Sequence, residues 1–489
     1  MDMGLIGTEP TFGNVALSQS LSAELSRLVR PLMEKHQVPG VAIGLVAGPS
    51  DDVACFGTTN VEHQLPVDPD TVFQIASITK VFTVTTLLAL FEAGRLKLDA
   101  PVRTYLPEFQ LQDEVATKTL TIRHLISHSG GFFGDHFLDT GPGDDALSRF
   151  IATFHTLPQL FPPGQMWAAN NADFCLVGRV IEVITGLTFE TAVARLVLEP
   201  LGMKKSFFFT ADAATHRFAA GHFVVDGRPV VTRPLANRGL RPIAILPRSG
   251  VPTGGLLSTA NDMIRFIKSL LGHGSILRPE TLELMGAPSV SGAWDQWRGY
   301  PWIVRDSGGQ RILTHGGGGA RSGQRALLSL APRAKTGVII LTNCGPVGAF
   351  VHDAVAEWWL ARVVGVSEQL EAFSPTGARA AVRTATRTEV NQFVGVYRSP
   401  DTDVTIEHDP EQDGILLLRE VTRRRLIGGY ETEPPPPPPA RIASCGGDRF
   451  VVLDGPTAGG PVEFLRDSAG SIVWLWMDHG RIHGRSSPG

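Results

Sequence analysis

Residues 73–94 read FQIASITKVFTVTTLLALFEAG, and this stretch decides how the chain is organised. Apolar residues occupy nearly every side of a helix drawn over 77–93, and Gly94 follows as a C-cap. Because a helix that is hydrophobic all round must be covered on all sides, the segment predicts a helix buried in a large core. Ser77 and Lys80 lie at the start of this helix.

The spacing of Ser77 and Lys80 suits nucleophilic catalysis. Residues three apart share one face of a helix. At a helix N-terminus the serine's own backbone N–H can stabilise an oxyanion, and burial of the lysine disfavours its charged form. A neutral amine beside a hydroxyl can accept the hydroxyl proton, which activates the serine. The alternative is structural, with Ser77 as an N-cap and Lys80 extending to solvent.

The segments on either side predict one α/β domain with a helical insertion. Apolar residues at helical spacing over 20–36 predict an amphipathic helix, and VAIGLVAG at 41–48 predicts a buried strand. Helix and loop signals fill 120–210. Near residue 310 three strand patterns follow, RILTHGG, QRALLSLAP and GVIILTN, and a helical pattern covers 351–365. Strands and a helix therefore open and close the domain.

The C-terminal part has a different pattern. SPTG at 374–377 and the Ala/Arg/Thr stretch after it predict a linker. From about residue 388 short strands recur at intervals of roughly ten residues, which predicts a small antiparallel barrel or sandwich. The prolines from Pro434 to Pro439 cannot pair in a sheet and predict an exposed loop. The strand patterns are VTIEHD, GILLLRE, DRFVVLD, VEFLRD, SIVWLWM and RIHGR.

Composition and charge exclude several classes of protein. The chain has 489 residues, 43% of them hydrophobic, and a net charge of −4, so no basic surface argues for a nucleic-acid partner. Its four cysteines lack metal-ligand spacing, and we expect no metal or other cofactor. The N-terminus lacks the basic and apolar regions of an export signal, and no run reaches the roughly 18 apolar residues of a membrane span. We therefore expect a cytoplasmic protein without a membrane partner.

A series of segments between about residues 20 and 365 resembles the serine β-lactamase-like family. This family includes class C β-lactamases, D-alanyl-D-amino-acid carboxypeptidases of the penicillin-binding protein class, family VIII-type esterases and related acyltransferases. The resemblance implies an α/β fold, an antiparallel sheet flanked by helices with an all-helical insertion, over 1–373. A linker at 374–388 and a lipocalin-like antiparallel β-barrel over 389–489 are expected to follow. The matching segments are VPGVAIGLV, FQIASITKVFT, LKLDAPVRTYLPEF, LTIRHLISHSGG, FPPGQMW, LVGRVIEVITG, LEPLGM, TGGLLSTANDMIRF and LTHGGGG.

The resemblance also implies roles for the residues of the first and third motifs. Ser77 is expected to be the nucleophile and Lys80 its general-base partner. His315 and Gly317, in RILTHGG, fit the family's H-x-G motif on the strand that lines the site. Glycines there allow close approach of substrate, and the Gly318 N–H is expected to be the second oxyanion donor beside that of Ser77.

A second stretch, Lys335-Thr336-Gly337, reads like the alternative K-T-G form of the third motif. We interpret it as a coincidence, because it lies in the turn between the second and third strands, far from the glycine run. The family motif is followed by two strands before the final helix, and only one strand follows here.

The second motif departs from the family pattern P-G-x-x-W-x-Y-x-N. Residues 163–171 read PGQMWAANN, so Asn171 matches and is expected to bind substrate, but Ala169 occupies the position of the catalytic Tyr. Trp167 is expected to wall the pocket or to pack. Three interpretations stay open: the Tyr was removed by engineering, the protein naturally uses Lys80 with another base such as Asp173, or it is a weakly active relative.

Other polar residues near these motifs have structural interpretations. His124 and His128 are four apart on a predicted helix, but no third metal ligand accompanies them. Asp135, His136 and Asp139 lie in a Gly-rich acidic loop that we expect at the rim of the site, either as structure or in contact with substrate.

The predicted function is a serine hydrolase that cleaves an ester or amide through a Ser77 acyl-enzyme, with a small-molecule or peptide acyl substrate. One alternative is acyl transfer, including peptide-cyclising thioesterase activity, in which an amine or alcohol resolves the same intermediate. Another is a binding relative with weak or no turnover, which the alanine at 169 favours and the intact Ser77 and Lys80 oppose.

Overall fold

The computed structural model describes residues 19–232, 246–292, 294, 296–318, 323–366, 382–422, 425–427, 430–432, 437–455, 458–477 and 480–486. Within these ranges, no helix combines the length and apolar composition that a bilayer crossing requires. The α-helices are α1 Gln19–His36, α2 Thr79–Glu92, α3 Glu114–Thr119, α4 Ile122–Ile126, α5 Ala146–Ile151, α6 Asn171–Thr185, α7 Phe189–Val193, α8 Thr210–Ala213, α9 Val251–Gly254, α10 Ala260–Leu270, α11 Pro279–Gly286, α12 Gly348–Trp359 and α13 Arg387–Val390.

An antiparallel sheet of eight strands forms the centre of the first domain, in the order β2-β1-β8-β7-β6-β5-β4-β3. Its strands are β1 Gly40–Ala47, β2 Ser50–Gly57, β3 Val290–Ser291, β4 Trp297–Arg298, β5 Ile303–Ser307, β6 Gln310–Gly318, β7 Arg325–Ala331 and β8 Thr336–Thr342.

Alternate residues of β1 face two different hydrophobic cores, because successive side chains of a strand point to opposite faces. Val41, Ile43 and Leu45 pack with α1 and α12 on one face of the sheet. Ala42 and Val46 belong to the larger core on the other face, which includes α2 and α10. Helices on both faces explain why this strand reads as an almost continuous apolar run.

The chain between β2 and β3 supplies the helical insertion, α2 to α11. Helix α2 is buried along most of its length, as its all-round apolar composition predicts. The expected helix over 351–365 is present as α12 followed by a π-helical turn, Leu360–Val364. The predicted α/β class with a helical insertion is therefore confirmed.

The C-terminal part forms a closed antiparallel barrel of eight strands that pair in sequence order, with β9 and β16 completing the circle. Aromatic side chains, including Phe393, Tyr397, Phe450 and Phe464, fill its interior. The predicted barrel is confirmed. Its strands are β9 Gly395–Arg398, β10 Thr402–His408, β11 Ile415–Thr422, β12 Ala440–Gly446, β13 Arg449–Val452, β14 Pro461–Arg466, β15 Ile472–Met477 and β16 Arg481–Arg485.

Some segments escaped the sequence analysis. The edge strand β2 carries SDDVACFG, whose exposed acidic start hides the strand pattern. Strands β9 and β12 were also not predicted. Most of the predicted linker and Pro434 to Pro436 lie outside the described residues, so the domain limits at 373 and 389 stay predictions. Short strand pairs also form between Phe73–Gln74 and Leu257–Ser258, His222–Val225 and Arg228–Val231, and Arg425–Ile427 and Tyr430–Thr432.

Candidate active site

A single 3-10 turn, Ala76–Ile78, joins a short strand to α2 and carries Ser77. Ala76 has a φ of 45°, in the left-handed region that non-glycine residues rarely adopt, so the turn is strained. The Thr79 hydroxyl donates to the Ala76 carbonyl at 2.7 Å and accepts the backbone N–H of Leu256 at 3.0 Å. These bonds fix the backbone of a partly exposed serine at the entrance of a buried helix.

Ser77 and Lys80 are in direct contact. Lys80 Nζ lies 2.9 Å from Ser77 Oγ and 2.9 Å from the Thr253 carbonyl oxygen, at the end of α9. When the amine is neutral, one N–H can donate to Thr253 while the nitrogen lone pair accepts the Ser77 proton. Nζ also lies 5.6 Å from the centre of the Phe174 ring, so the surroundings of the amine are largely apolar.

The electrostatic setting of Lys80 favours a neutral amine. The residue is only 3% exposed, and burial lowers its pKa from 10.5 to about 7. The charge of Arg481 lowers the pKa further, and Asp135 opposes this effect. At neutral pH a substantial fraction of Lys80 can therefore accept a proton from Ser77.

Strand β6 passes next to the nucleophile turn. A Cβ atom at Gly317 would lie 2.1 Å from the carbonyl oxygen of Ile75, so only glycine allows this approach. Gly318 is the last residue of the strand and is exposed. His315 lies on the same strand, and its Nδ1 donates to the Gly316 carbonyl at 2.8 Å. Desolvation, followed by the charge of Lys80, lowers the His315 pKa to about 3, so the ring is neutral.

The K-T-G sequence lies elsewhere. Lys335 donates to the Leu271 carbonyl at 2.9 Å, and the Thr336 hydroxyl donates to the Val46 carbonyl. Both contacts tie the turn before β8 to neighbouring elements, which supports the structural interpretation of this sequence.

The second motif leads into α6. Ala169 is partly exposed, and its backbone N–H donates to the Gly480 carbonyl, which lies outside the motif. Asn170 is the N-cap of α6, with its side chain accepting the Asp173 N–H at 2.8 Å. Asn171, the first residue of the helix, donates from Nδ2 to Asp135 Oδ1 at 2.9 Å. The predicted site residues 169 and 171 thus flank the cap of a buried helix.

Trp167 lies at the contact between the two domains. Its ring is 6.2 Å from that of Trp476, on barrel strand β15, and the Arg298 guanidinium lies 4.1 Å from its centre. Both tryptophans belong to one buried apolar cluster that includes Ala168 and Ile482. Trp167 therefore packs between domains, one of the two roles that the sequence left open.

Asp173 is completely buried, and within the described part of the chain neither carboxylate oxygen has a hydrogen-bond partner. The Gly130 backbone is next to it: a Cβ atom on Gly130 would lie 2.3 Å from Oδ1. Burial raises the pKa of Asp173 well above its usual range, and the Gly130 backbone offsets this only in part. Burial therefore favours the protonated form of the side chain, which reduces its availability as a general base.

His124 and His128, which the sequence places four residues apart, both have structural contacts. His124 Nδ1 accepts the Thr121 N–H at 3.2 Å in the capping box of α4. His128 Nδ1 accepts the Asn170 N–H at 3.0 Å, and its ring is 4.7 Å from that of Phe174. In the described ranges no group of three or more His, Cys, Asp and Glu side chains is arranged to hold a metal ion.

Of the three polar residues in the acidic loop, only Asp135 reaches the site, through its bond to Asn171. The ring of His136 stacks on Phe150 at 5.3 Å, and Asp139 accepts the Gly141 N–H at 2.9 Å within its own loop. The last two are therefore structural.

Three contributors to the site were not predicted from the sequence. Asn170 could have been found, since Asn three residues before Asp at the start of an apolar run is a capping signal. Thr253 acts through its backbone, which leaves no sequence signal. Arg481, whose Nε donates to Asp135 Oδ2 at 2.5 Å, comes from a barrel strand 346 residues away along the chain.

Together these residues define a lysine-assisted serine nucleophile in front of a glycine-bearing strand. Ser77 is partly exposed, and the buried amine of Lys80 contacts it directly at the entrance of a helix. Such an arrangement can form and release an acyl bond, and the class it defines is the serine hydrolases.

Comparison with known proteins identifies the family. The Beta-lactamase family model matches residues 25–361. Penicillin-binding protein 4 of Amycolatopsis lactamdurans is 32% identical over 357 residues, 70% of this chain and 90% of that protein. Esterase EstB of Burkholderia gladioli is 30% identical over 314 residues, 58% of this chain and 78% of the esterase. The chain therefore belongs to the β-lactamase family of serine hydrolases.

The fold similarity extends through the barrel. The crystal structure of SurE matches with a TM-score of 0.73 at 23% identity, and the match covers 96% of this chain and 99% of SurE. The arrangement of a β-lactamase-like domain followed by a closed barrel is thus shared with a solved structure.

Proposed function

We propose that the protein hydrolyses an ester or amide through an acyl-enzyme on Ser77. The observation that carries this proposal is the 2.9 Å contact of Ser77 Oγ with Lys80 Nζ, in surroundings that lower the pKa of Lys80 to about 7. Lys80 accepts the serine proton as Ser77 attacks the substrate carbonyl, and the N–H groups of Ser77 and Gly318 stabilise the oxyanion. Water then releases the acyl group.

In this mechanism the remaining predicted residues orient the substrate. His315 is neutral, and its Nδ1–H is engaged with the Gly316 carbonyl, which leaves Nε2 as a hydrogen-bond acceptor. Asn171 is held by Asp135, and its amide is the candidate group for contact with the substrate. No side chain at 169 returns the proton to the leaving group, so Lys80 must do so itself.

A pocket beside position 169 indicates where part of the substrate binds. It is a small open cleft between the domains and is lined by Ala169, Asn170 and the Gly131–Asp135 loop on one side. Arg481 and His483 of the barrel line the other side. Its aromatic and charged walls would suit a substrate group that has both apolar and polar parts, such as an amino-acid side of the acyl chain.

This pocket also favours acyl transfer as a second candidate function. An amine that reached the acyl-enzyme from this cleft would compete with water. SurE, which shares both domains at the level of the fold, has also been solved with D-Leu. That observation supports testing D-amino acids and their amides as acceptors.

Intact mass spectrometry tests both candidates. The protein is incubated with activated esters, lactams and D-amino amides, with and without an added amine. We expect an adduct that maps to Ser77 and disappears in Ser77→Ala. Free acid as the product supports hydrolysis, and an amide of the added amine supports transfer. Substrate binding without any adduct would contradict both and favour a binding relative.

A further inference from the structure

The barrel contacts the second motif through residues that precede and begin its last strand. The Gly480 carbonyl accepts the backbone N–H of Ala169 at 3.0 Å. Arg481 Nε donates to Asp135 Oδ2 at 2.5 Å, and Asp135 Oδ1 accepts the Asn171 amide at 2.9 Å. Two residues of the predicted site are thus tied to another domain, one by its backbone and one through a carboxylate.

The packing at this contact leaves no room for adjustment. Gly480 has a φ of 101°, and a Cβ atom there would lie 2.1 Å and 2.2 Å from two ring atoms of Trp167. Trp167, Trp476 and Ile482 are 8%, 3% and 5% exposed, so the side chains packed around Gly480 are buried. Any movement of Gly480 must therefore move Trp167 and the backbone of Ala169.

From these contacts we infer that Gly480 and Arg481 of the barrel are positioning residues for the second motif. Gly480 sets the backbone at Ala169, and Arg481 sets Asn171 through Asp135. The inference rests on the proposed acyl-enzyme chemistry, because the motif orients substrate there. The barrel is then part of the catalytic unit, although it supplies no nucleophile.

The charges around Lys80 give Arg481 a second, measurable effect. The groups that interact with Lys80 are Cys175, Asp135, Arg481, His128 and His315. Burial raises the pKa of the Cys175 thiol and lowers the pKa of both histidines, so these three are neutral at pH 7. Burial is the largest cause of the lowered Lys80 pKa, and the fixed charges that act on it are those of Asp135 and Arg481. Removal of Arg481 is therefore expected to raise the pKa of Lys80.

Two glycines of the barrel provide a matched test. Gly480→Ala forces a methyl group against Trp167. Gly470→Ala places the same methyl group at a φ of 82°, where no atom of the described chain lies within 4 Å. Both variants carry the strain of alanine at positive φ, and only one disturbs the second motif.

We expect Gly480→Ala to lower the rate of Ser77 acylation about tenfold to a hundredfold, as misplaced catalytic geometry does, and Gly470→Ala to leave it unchanged. Amide hydrogen exchange in peptides covering residues 167–171 should accelerate in Gly480→Ala alone, and this readout needs no turnover. Equal rates and equal exchange in the two glycine variants would overturn the inference.

The arginines of the last strand give the second comparison. Arg481→Gln is expected to shift the pH profile of acylation upward. Arg485→Gln is expected to leave the pH profile unchanged, because Arg485 donates to the Val394 carbonyl at the surface of the barrel domain. If the pH profile of acylation is unshifted in both variants, Arg481 does not have the proposed effect on Lys80. Absence of any Ser77 adduct in the unmodified protein would instead refute the proposed function, and the exchange measurement would still decide the positioning role.

Discussion

The first and second motifs of the site are stabilised in different ways. Ser77 and Lys80 are held by short-range contacts within the first domain, and the buried amine has two oxygen partners. At the second motif, Ala169 offers no polar side chain, its backbone bonds to the barrel, and Asp173 is buried without a partner in the described residues. The contacts that hold the first motif therefore come from the first domain, whereas the second motif is also anchored by the barrel.

This difference separates chemistry from orientation. A nucleophile and its base must be in contact whatever the substrate is. One helix can meet this requirement, because residues three apart share one of its faces. Orientation of a leaving group or acceptor depends on the substrate, and residues of the second motif line the cleft between the domains in which we propose that part of the substrate binds. Substitutions at the first motif should therefore remove proton transfer, and substitutions at the second should misplace the substrate.

Lys80→Arg disrupts the first motif and should have the largest effect. Arginine stays protonated at any working pH, so it cannot accept the Ser77 proton. We expect the acylation rate to fall by a factor of about 10²–10⁴. Time-resolved labelling with a fluorophosphonate or penicillin probe, followed by mass spectrometry, measures it.

The control is Lys118→Arg, at an exposed lysine paired with Glu114 on α3, which should label at the normal rate. Near-normal acylation in Lys80→Arg would remove Lys80 from the proposed mechanism.

Ala169→Tyr tests whether the second motif lacks only a hydroxyl. A phenol at 169 would relay the proton to the leaving group and back from water. We expect kcat to rise at least about a hundredfold with little change in KM, since the phenol acts mainly in the transition state.

Ala169→Phe is the matched control, because it adds the ring without the hydroxyl and should not raise kcat. If Ala169→Tyr changes kcat by less than about threefold, alanine is native to the mechanism. Lys80 would then carry both proton transfers, since His315, with a pKa of about 3, is a weak base and burial favours the protonated form of Asp173.

Much of the first motif was predictable from sequence, and little of the second motif's support was. The S-x-x-K spacing places Ser77 and Lys80 on one helix face by local geometry alone. Gly317 was predictable as a site of close approach, although its neighbour Ile75 was not. The contact of Gly480 with Trp167 joins residues of two domains, and no local pattern encodes such pairs. The barrel's existence followed from strand spacing, but its docking depends on tertiary packing.

The pH dependence of acylation tests the charge state of Lys80 in the first motif. The Lys80 pKa is lowered to about 7, so the reactive neutral amine is lost as the pH falls below that value. The acylation rate should decrease about tenfold per pH unit below 7 and level off above it. A flat profile between pH 5 and 8 would show that Lys80 does not gain its proton in this range.

Asp173→Asn tests how much stability the protein loses by burying the Asp173 carboxyl in the second motif. It should have the smallest effect of these substitutions. The folded protein holds a proton on Asp173 that the unfolded chain loses above about pH 4, so stability falls as the pH rises through this region. Asparagine is neutral at every pH and has a similar shape. We expect it to increase the free energy of unfolding by about 1 kcal/mol at pH 7, with the gain vanishing below about pH 4.

Asp262→Asn is the informative counterpart, because Asp262 is also buried with a raised pKa but accepts hydrogen bonds from the Lys205 N–H and the Ser206 hydroxyl. An amide there loses acceptor strength, so this variant should be less stable at pH 7 while Asp173→Asn is more stable. Urea unfolding at pH 4 and pH 7 measures both. If Asp173→Asn is instead destabilised at pH 7, the carboxylate has a partner that ionises with it, and Asp173 returns as a candidate base for the site that lacks a tyrosine.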